Sequence, residues 1–500
     1  MNASYGVFAV AAVAVATIGI GAFGLRFSRT TSDFYVASRS VSPIWNSSAI
    51  GGEYLSAASF LGVAGLVLAF GADMLWYPIG WTAGYLLLLV FVAAPLRRSG
   101  AYTIPDFAQV RLQSTAVRYT ASLLVVGVGW LYLMPQFQGA GLTLRTVTGA
   151  PSWVGSVLVA IIVVINVVSG GMRSITFVQA FQYWLKLTAL LIPLFFLLHA
   201  WQGDGSPSRA ADNEWLFPVY DSNADGIYRT YSVMIATFLG TMGLPHVVVR
   251  FYTNPDGRAA RRTTLIVLGL LGTFYLMPTI YGVLGRLYAS DLIGEGRADA
   301  VVLELPGRMI GGTIGDLLAA LLTAGAFAAF LSTSSGLTMS IAGVVGQDLV
   351  GTRFGRRFTG VTALRLAAVT CILFPLALAV AAERIAVANS VTFAFALAAS
   401  TFCPLLVLGI WWRGLTAKGA IAGMIGGGLC AGIAPILTIA VQPAGWAGLL
   451  LGQPAAWSVP VGFALMIGVS LATRVDIPAN VARTMVRLHT PERLDVDRRF

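Results

Sequence analysis

Apolar runs about twenty residues long, set apart by short polar stretches, recur along the whole 500-residue chain. A bilayer core ~30 Å thick is crossed by ~20 helical residues at 1.5 Å each, so each run predicts a membrane-spanning helix. Thirteen are expected, at 5–25, 44–70, 75–96, 119–146, 152–169, 177–199, 229–248, 263–285, 311–346, 361–382, 385–411, 419–441 and 457–472. Four of them carry polar groups or helix breakers at mid-depth. Gly51-Gly52-Glu53-Tyr54-Leu55-Ser56-Ala57-Ala58-Ser59 interrupts the second run, and Gln136 and Gln138 stand beside Pro135 in 119–146. Gly240-Thr241-Met242-Gly243-Leu244-Pro245-His246 interrupts 229–248, and Ser332-Thr333-Ser334-Ser335-Gly336 lies in 311–346. A lipid-facing helix has no use for such residues, because charge and freed backbone groups are costly unless they face protein, an ion or water.

The first and third of these interruptions predict broken helices. Counted from the second run, they are the first and sixth of a ten-helix set. Interrupted helices at corresponding places in two halves point to an inverted-repeat secondary transporter. Freed carbonyls and half-helix C-termini would hold a cation there, and half-helix N-termini an anionic group. An odd number of helices per half inverts the second half, so five plus five fits.

Composition narrows the class further. The chain is 57% hydrophobic and 11% charged, with mean hydropathy +0.79, where soluble proteins carry about 25% charged residues. The net charge of +11 is explained by its placement. Arg and Lys concentrate in alternate loops and in the tail from Arg474 to Arg499, whereas the opposite loops carry Asp204, Asp212, Glu214, Asp221, Asp225, Asp291, Glu295, Asp299 and Glu304. The positive-inside rule then sets the N-terminus outside and the tail in the cytoplasm, and nucleic acid is excluded as a partner. The first run lacks a basic n-region and is followed by Arg26 and Arg29, the reverse of a cleaved signal peptide. Cys371, Cys403 and Cys430 lie in apolar runs without metal spacing, and only three histidines exist, so no enzyme site is visible. The expected location is the cell membrane, with multiple passes.

Bland readings stand beside each polar site. Membrane serines and threonines commonly bond the carbonyl four residues back, Gln136 fits a cap on a Pro135 kink, and His246 fits a structural or gating role. For Glu53 function outweighs structure, because an unpaired mid-membrane carboxylate is expensive. No Arg or Lys stands out as central: Arg145 lies near the outer end of its run, and the facing of Lys186 is open.

The chain resembles the sodium:solute symporter family, and within it the cation/acetate (short monocarboxylate) symporters. The resemblance is carried by Asp33-Phe34-Tyr35-Val36-Ala37, Glu53-Tyr54-Leu55-Ser56-Ala57-Ala58-Ser59-Phe60-Leu61-Gly62, Tyr102-Thr103-Ile104-Pro105-Asp106-Phe107, Ser169-Gly170-Gly171-Met172, Gly243-Leu244-Pro245-His246 with Arg250-Phe251, and Phe395-Ala396-Leu397-Ala398-Ala399-Ser400. It implies an all-α LeuT-type fold of five-plus-five inverted repeats working by alternating access. The expected division is an extra helix at 1–25, repeats at 44–199 and 229–411, two further helices at 419–472 and a cytoplasmic tail at 473–500. It implies a sodium ion held by Ser332 and Thr333 side chains, placed by counting back from Asp348, and by the Gly52 and Leu55 carbonyls. The implied partners are sodium as coupling ion, a small carboxylate (acetate, propionate or pyruvate class) and the lipid bilayer. Glu53, Tyr54, Gln136, Thr241 and Gly243 are the expected substrate or coupling residues. Acetate-type relatives usually carry Asp where this chain has Glu53, one methylene longer. A proton-coupled carrier of the same fold, or a sodium symporter of proline, pantothenate or a sugar, are the alternatives.

Overall fold

The computed structural model describes residues 3–24, 37–208, 213–219, 224–350, 361–381, 387–492 and 494. Asp33 to Val36 of the resemblance motifs, Arg353, Arg356 and Arg357, and the last residues of the tail lie outside them. The described residues are almost entirely helical. In chain order they form α1 (Ala3–Gly24), α2 (Pro43–Tyr54), α3 (Val63–Phe70), α4 (Trp76–Leu87), α5 (Ala93–Ser99), α6 (Ile104–Leu112), α7 (Thr115–Thr148), α8 (Ser152–Gly203), α9 (Ala224–Gly243), α10 (Pro245–Phe251), α11 (Gly257–Tyr288), α12 (Val301–Met309), α13 (Gly312–Val344), α14 (Val361–Ala381), α15 (Val387–Trp411), α16 (Ala417–Val441), α17 (Ala455–Ala472) and α18 (Val481–His489).

Among the described residues, ten helical runs are long and apolar enough to cross a membrane, or eleven if the bent pair α9 and α10 is one span. The difference from thirteen lies in two runs that each take in two expected spans. One is Ala58–Ser99; the other is the 52-residue α8. The latter is two helices joined at Gly171, whose φ of 61° and ψ of −175° are not helical. A side chain there would be strained, so glycine marks the corner.

Both expected breaks are present. α2 stops at Tyr54, Leu55 takes φ −74° and ψ 87°, and a π-helical turn at Ala58–Gly62 leads into α3. α9 ends at Gly243, Leu244 is extended with Pro245 opening α10, and the pair bends by 43°. Proline cannot supply the missing N–H, which is why the helix restarts there and does not run through. The serine-rich α13 crosses α8 along its length and also packs on α2 and α7, so it forms one wall of the region where α2 breaks.

Part of the tail is structured. α18 buries Thr484, Met485 and Leu488 and packs on α5, with Arg487 Nε donating to the Arg98 carbonyl at 3.2 Å. Just outside the spans, the Asp106 carboxylate accepts from Arg118 at 2.9 Å, and burial holds Asp106 above its ordinary acidity range. Asp348 is bonded by the same arginine at 2.6 Å and by Ser122.

Candidate functional site

Close helix approach builds the site. Gly51 and Gly52 let α2 lie against α8: a Cβ on Gly52 would overlap the Gln179 carbonyl, and one on Gly51 would press on the Tyr183 ring. Thr176, Gln179, Tyr183 and Lys186 then recur at helical spacing on one face of α8, all directed at α2 or its neighbours. Gly336 plays the same part on α13, where a Cβ would overlap the Glu53 carboxylate.

The four expected sodium donors lie around the α2 break, and a side chain already engages three of them. Lys186 Nζ donates to the Gly52 carbonyl at 2.5 Å, the Leu55 carbonyl at 2.7 Å and Ser332 Oγ at 3.1 Å. Lys186 is 0% exposed. The fourth donor, Thr333 Oγ1, is turned to the Glu53 carbonyl at 2.6 Å. The oxygens suit a hard cation in chemistry, but the cation that meets them is an ammonium. The expectation that no basic residue is central is therefore corrected. The face formed by Gln179, Tyr183 and Lys186 was the signal for it.

A second basic residue is central too. Arg250 had the position of a cytoplasmic loop charge in the sequence; it is instead the buried end of α10. Its Nε lies 2.6 Å from Glu53 Oε2, with the two side chains 1% and 2% exposed. Nη1 donates to Thr176 Oγ1 at 2.9 Å and Nη2 to Gln179 Oε1. The Gln179 amide continues the chain to the Ser332 carbonyl at 2.8 Å. Asn46 on α2 donates to the Arg250 carbonyl at 3.0 Å. The half-helices α2 and α10 are thus tied to each other and to α8 and α13. Glu53 is a paired carboxylate, and its extra methylene over Asp is what carries it to the guanidinium.

Next to the break stands an aromatic cage. Tyr54 meets Tyr85 edge-on at 4.9 Å, Trp81 lies 5.9 Å from Tyr275 and 5.8 Å from Phe395, and Tyr132 lies 5.7 Å from Phe395 and 5.1 Å from the His246 ring. Four helices besides the broken pair supply these rings. Trp81 Nε1, the Tyr85 hydroxyl and both His246 nitrogens are buried without a hydrogen-bond partner. Donors of this kind are costly to leave unmade.

The expected substrate residues are mostly committed within the protein. Tyr54 OH bonds Thr241 Oγ1 at 2.7 Å and the Trp81 carbonyl at 3.2 Å, and Thr241 Oγ1 also donates to the Thr237 carbonyl at 2.7 Å. Gln136 accepts from the Ala57 amide at 2.9 Å and donates to the Tyr132 carbonyl at 3.2 Å. It caps the freed end of the broken helix and leaves Pro135 to its own kink. Gly243 is a packing glycine, since a Cβ would meet the Ala398 carbonyl at 2.5 Å.

Comparison with known proteins agrees with this architecture. The model of the sodium:solute symporter family matches residues 34–427. The uncharacterized symporter YwcA of Bacillus subtilis (strain 168) is 30% identical over 499 residues, covering 95% of this chain and 96% of its own. A Na+-coupled sialic acid symporter, solved in a substrate-bound outward-open state, superimposes with a TM-score of 0.71 at 15% identity, covering 93% of this chain and 98% of that one. The nucleobase-cation-symport-1 family transporter MHP1 in a closed conformation gives a TM-score of 0.54 at 14% identity, covering 91% of this chain and 98% of that one. The fold is of the LeuT type. The chain is a multi-pass membrane transporter and not an enzyme, with sodium as its coupling ion. It belongs to the sodium:solute symporter family.

Proposed function

We propose that the solute this symporter carries with sodium is a small monocarboxylate of the acetate, propionate or pyruvate class. The observation that carries the reading is a surplus of buried positive charge. Glu53 contributes one negative charge at the α2 break, and Arg250 and Lys186 contribute two positive ones. Charge inside a membrane protein is kept where something offsets it, and a solute with one negative charge completes the balance.

The cage beside the break supplies the rest of the fit. An ionised carboxylate is acceptor-only, and Trp81 Nε1, Tyr85 OH and a His246 N–H are unpartnered donors in its wall. The ring faces of Phe395 and Tyr132 suit a short alkyl group. Closure of this wall over the solute, with sodium binding favouring one arrangement of the helices, is the alternating-access step. A ligand shifts that equilibrium only by its differential affinity for the two states.

Competition in proteoliposomes tests the reading. Under an inward sodium gradient, unlabelled propionate and pyruvate should suppress uptake of labelled acetate, while proline, pantothenate and glucose should not. Acetate uptake no greater than in empty liposomes would defeat it, as would suppression by proline alone.

A further inference from the structure

The pocket between α2, α8 and α13 contains a covalently attached cation. We propose that the Lys186 ammonium stands in this pocket in place of a sodium ion, and that the coupling sodium is held elsewhere in the molecule. This goes beyond the monocarboxylate reading and does not depend on it.

Donor and acceptor counting accounts for the contacts of the group as an ammonium. The Gly52 and Leu55 carbonyls can only accept. Ser332 Oγ spends its own hydrogen on the Ala329 carbonyl at 3.0 Å, so it too accepts from Lys186. Three acceptors converge on one nitrogen, and only the –NH3+ form has three hydrogens to give. The contact with the Leu55 carbonyl, at 2.7 Å, has the length of a charge-assisted hydrogen bond.

A sodium ion has no place beside it. The same oxygens would have to serve both cations at a separation near 4 Å. Two unit charges that close, at an effective dielectric of about 20, repel enough to weaken binding roughly a thousandfold. The neighbouring carboxylate carries a single negative charge, and Arg250, 2.6 Å from Glu53 Oε2, already balances it, although Glu53 Oε1 makes no hydrogen bond. Thr333, the remaining expected ligand, is bonded to the Glu53 carbonyl. Parting of α2 from α13 therefore has to lift Lys186 off the Gly52 and Leu55 carbonyls or off Ser332 Oγ, and no ion leaves the pocket when it does.

The test is binding of radioactive sodium to the purified full-length protein, with no solute present. Lys186→Ala frees the oxygens and should gain a sodium site that wild type lacks, so that it binds more sodium at saturation than wild type does. Adding Ser332→Ala to Lys186→Ala should abolish the gain. Lys186→Met, which fills the space without charge, should show none. In the otherwise wild-type protein, Ser332→Ala should shift sodium affinity less than about twofold. The proposal is overturned if Ser332→Ala or Thr333→Ala alone weakens wild-type sodium binding about tenfold or more. It is equally overturned if Lys186→Ala folds, by gel filtration and thermal unfolding, yet binds no additional sodium. Should Lys186→Ala not fold, the wild-type-background variants decide.

Discussion

Replacing Glu53 by Gln keeps the shape of the side chain and removes its charge. Arg250 is then left charged, buried and bonded only to Thr176, Gln179 and a neutral amide. Removing one partner of a buried ion pair costs about 3–5 kcal/mol. Because Arg250 keeps two neutral acceptors, the lower end is expected, about 3 kcal/mol. Arg250→Met alone strands the carboxylate and should cost a similar amount. With both changes no buried charge is orphaned, so the double variant should be less destabilised than the sum by about 2–3 kcal/mol. Equilibrium unfolding of the four proteins in mixed micelles, titrated with SDS, measures the cycle. Additivity within about 0.5 kcal/mol would refute the direct pairing of α2 with α10. Glu53→Asp extends the same reasoning: shortening by roughly 1.5 Å, one C–C bond, draws the carboxylate out of hydrogen-bond range. It should therefore lose most of the coupling without losing the charge.

Further outcomes follow from other contacts. Gly52→Ala should destabilise by about 3 kcal/mol or more in the same unfolding assay, since its Cβ would overlap the Gln179 backbone carbonyl and a backbone cannot turn aside. Tyr85→Phe and Trp81→Phe each delete one unpartnered donor of the cage, and each should weaken acetate affinity roughly tenfold by loss of one solute hydrogen bond. In the loop outside the spans, hydrogen bonding from Arg308 lowers the Asp291 carboxyl below its ordinary 3.8. The pair's small contribution should be present above that value and lost as pH falls through the lowered one. Thermal unfolding of wild type against Asp291→Asn, from about pH 6 downward at low salt, should show the difference closing, and high salt should remove it throughout.

The sequence disclosed the frame of the site better than its electrostatics. Gly51-Gly52 and Gly243-Leu244-Pro245 are strong local signals, because glycine and proline act on the backbone wherever they stand. Both marked real breaks. The hydroxyls of Ser332 and Thr333 were likewise placed beside the first break. Lys186 and Arg250 were not read as central, for different reasons. A single lysine in an apolar run can snorkel to the surface or face inward, and only the register with Gln179 and Tyr183 separates the two. Arg250 follows Pro245 by a turn and a half at the end of a run, where the positive-inside pattern alone accounts for an arginine. Its partner Glu53 lies 197 residues away, and pairing over that distance is a property of the fold. Gln136 was seen as polar and central, but its side-chain oxygen accepts from the Ala57 amide across the break, a partner composition does not specify.

The most direct test of the account is a high-resolution map of the protein in a saturating sodium salt. Continuous side-chain density is expected from α8 to a terminal nitrogen bonded to the Gly52 and Leu55 carbonyls and Ser332 Oγ. A separate ion peak among those oxygens, with Lys186 turned away, would contradict it.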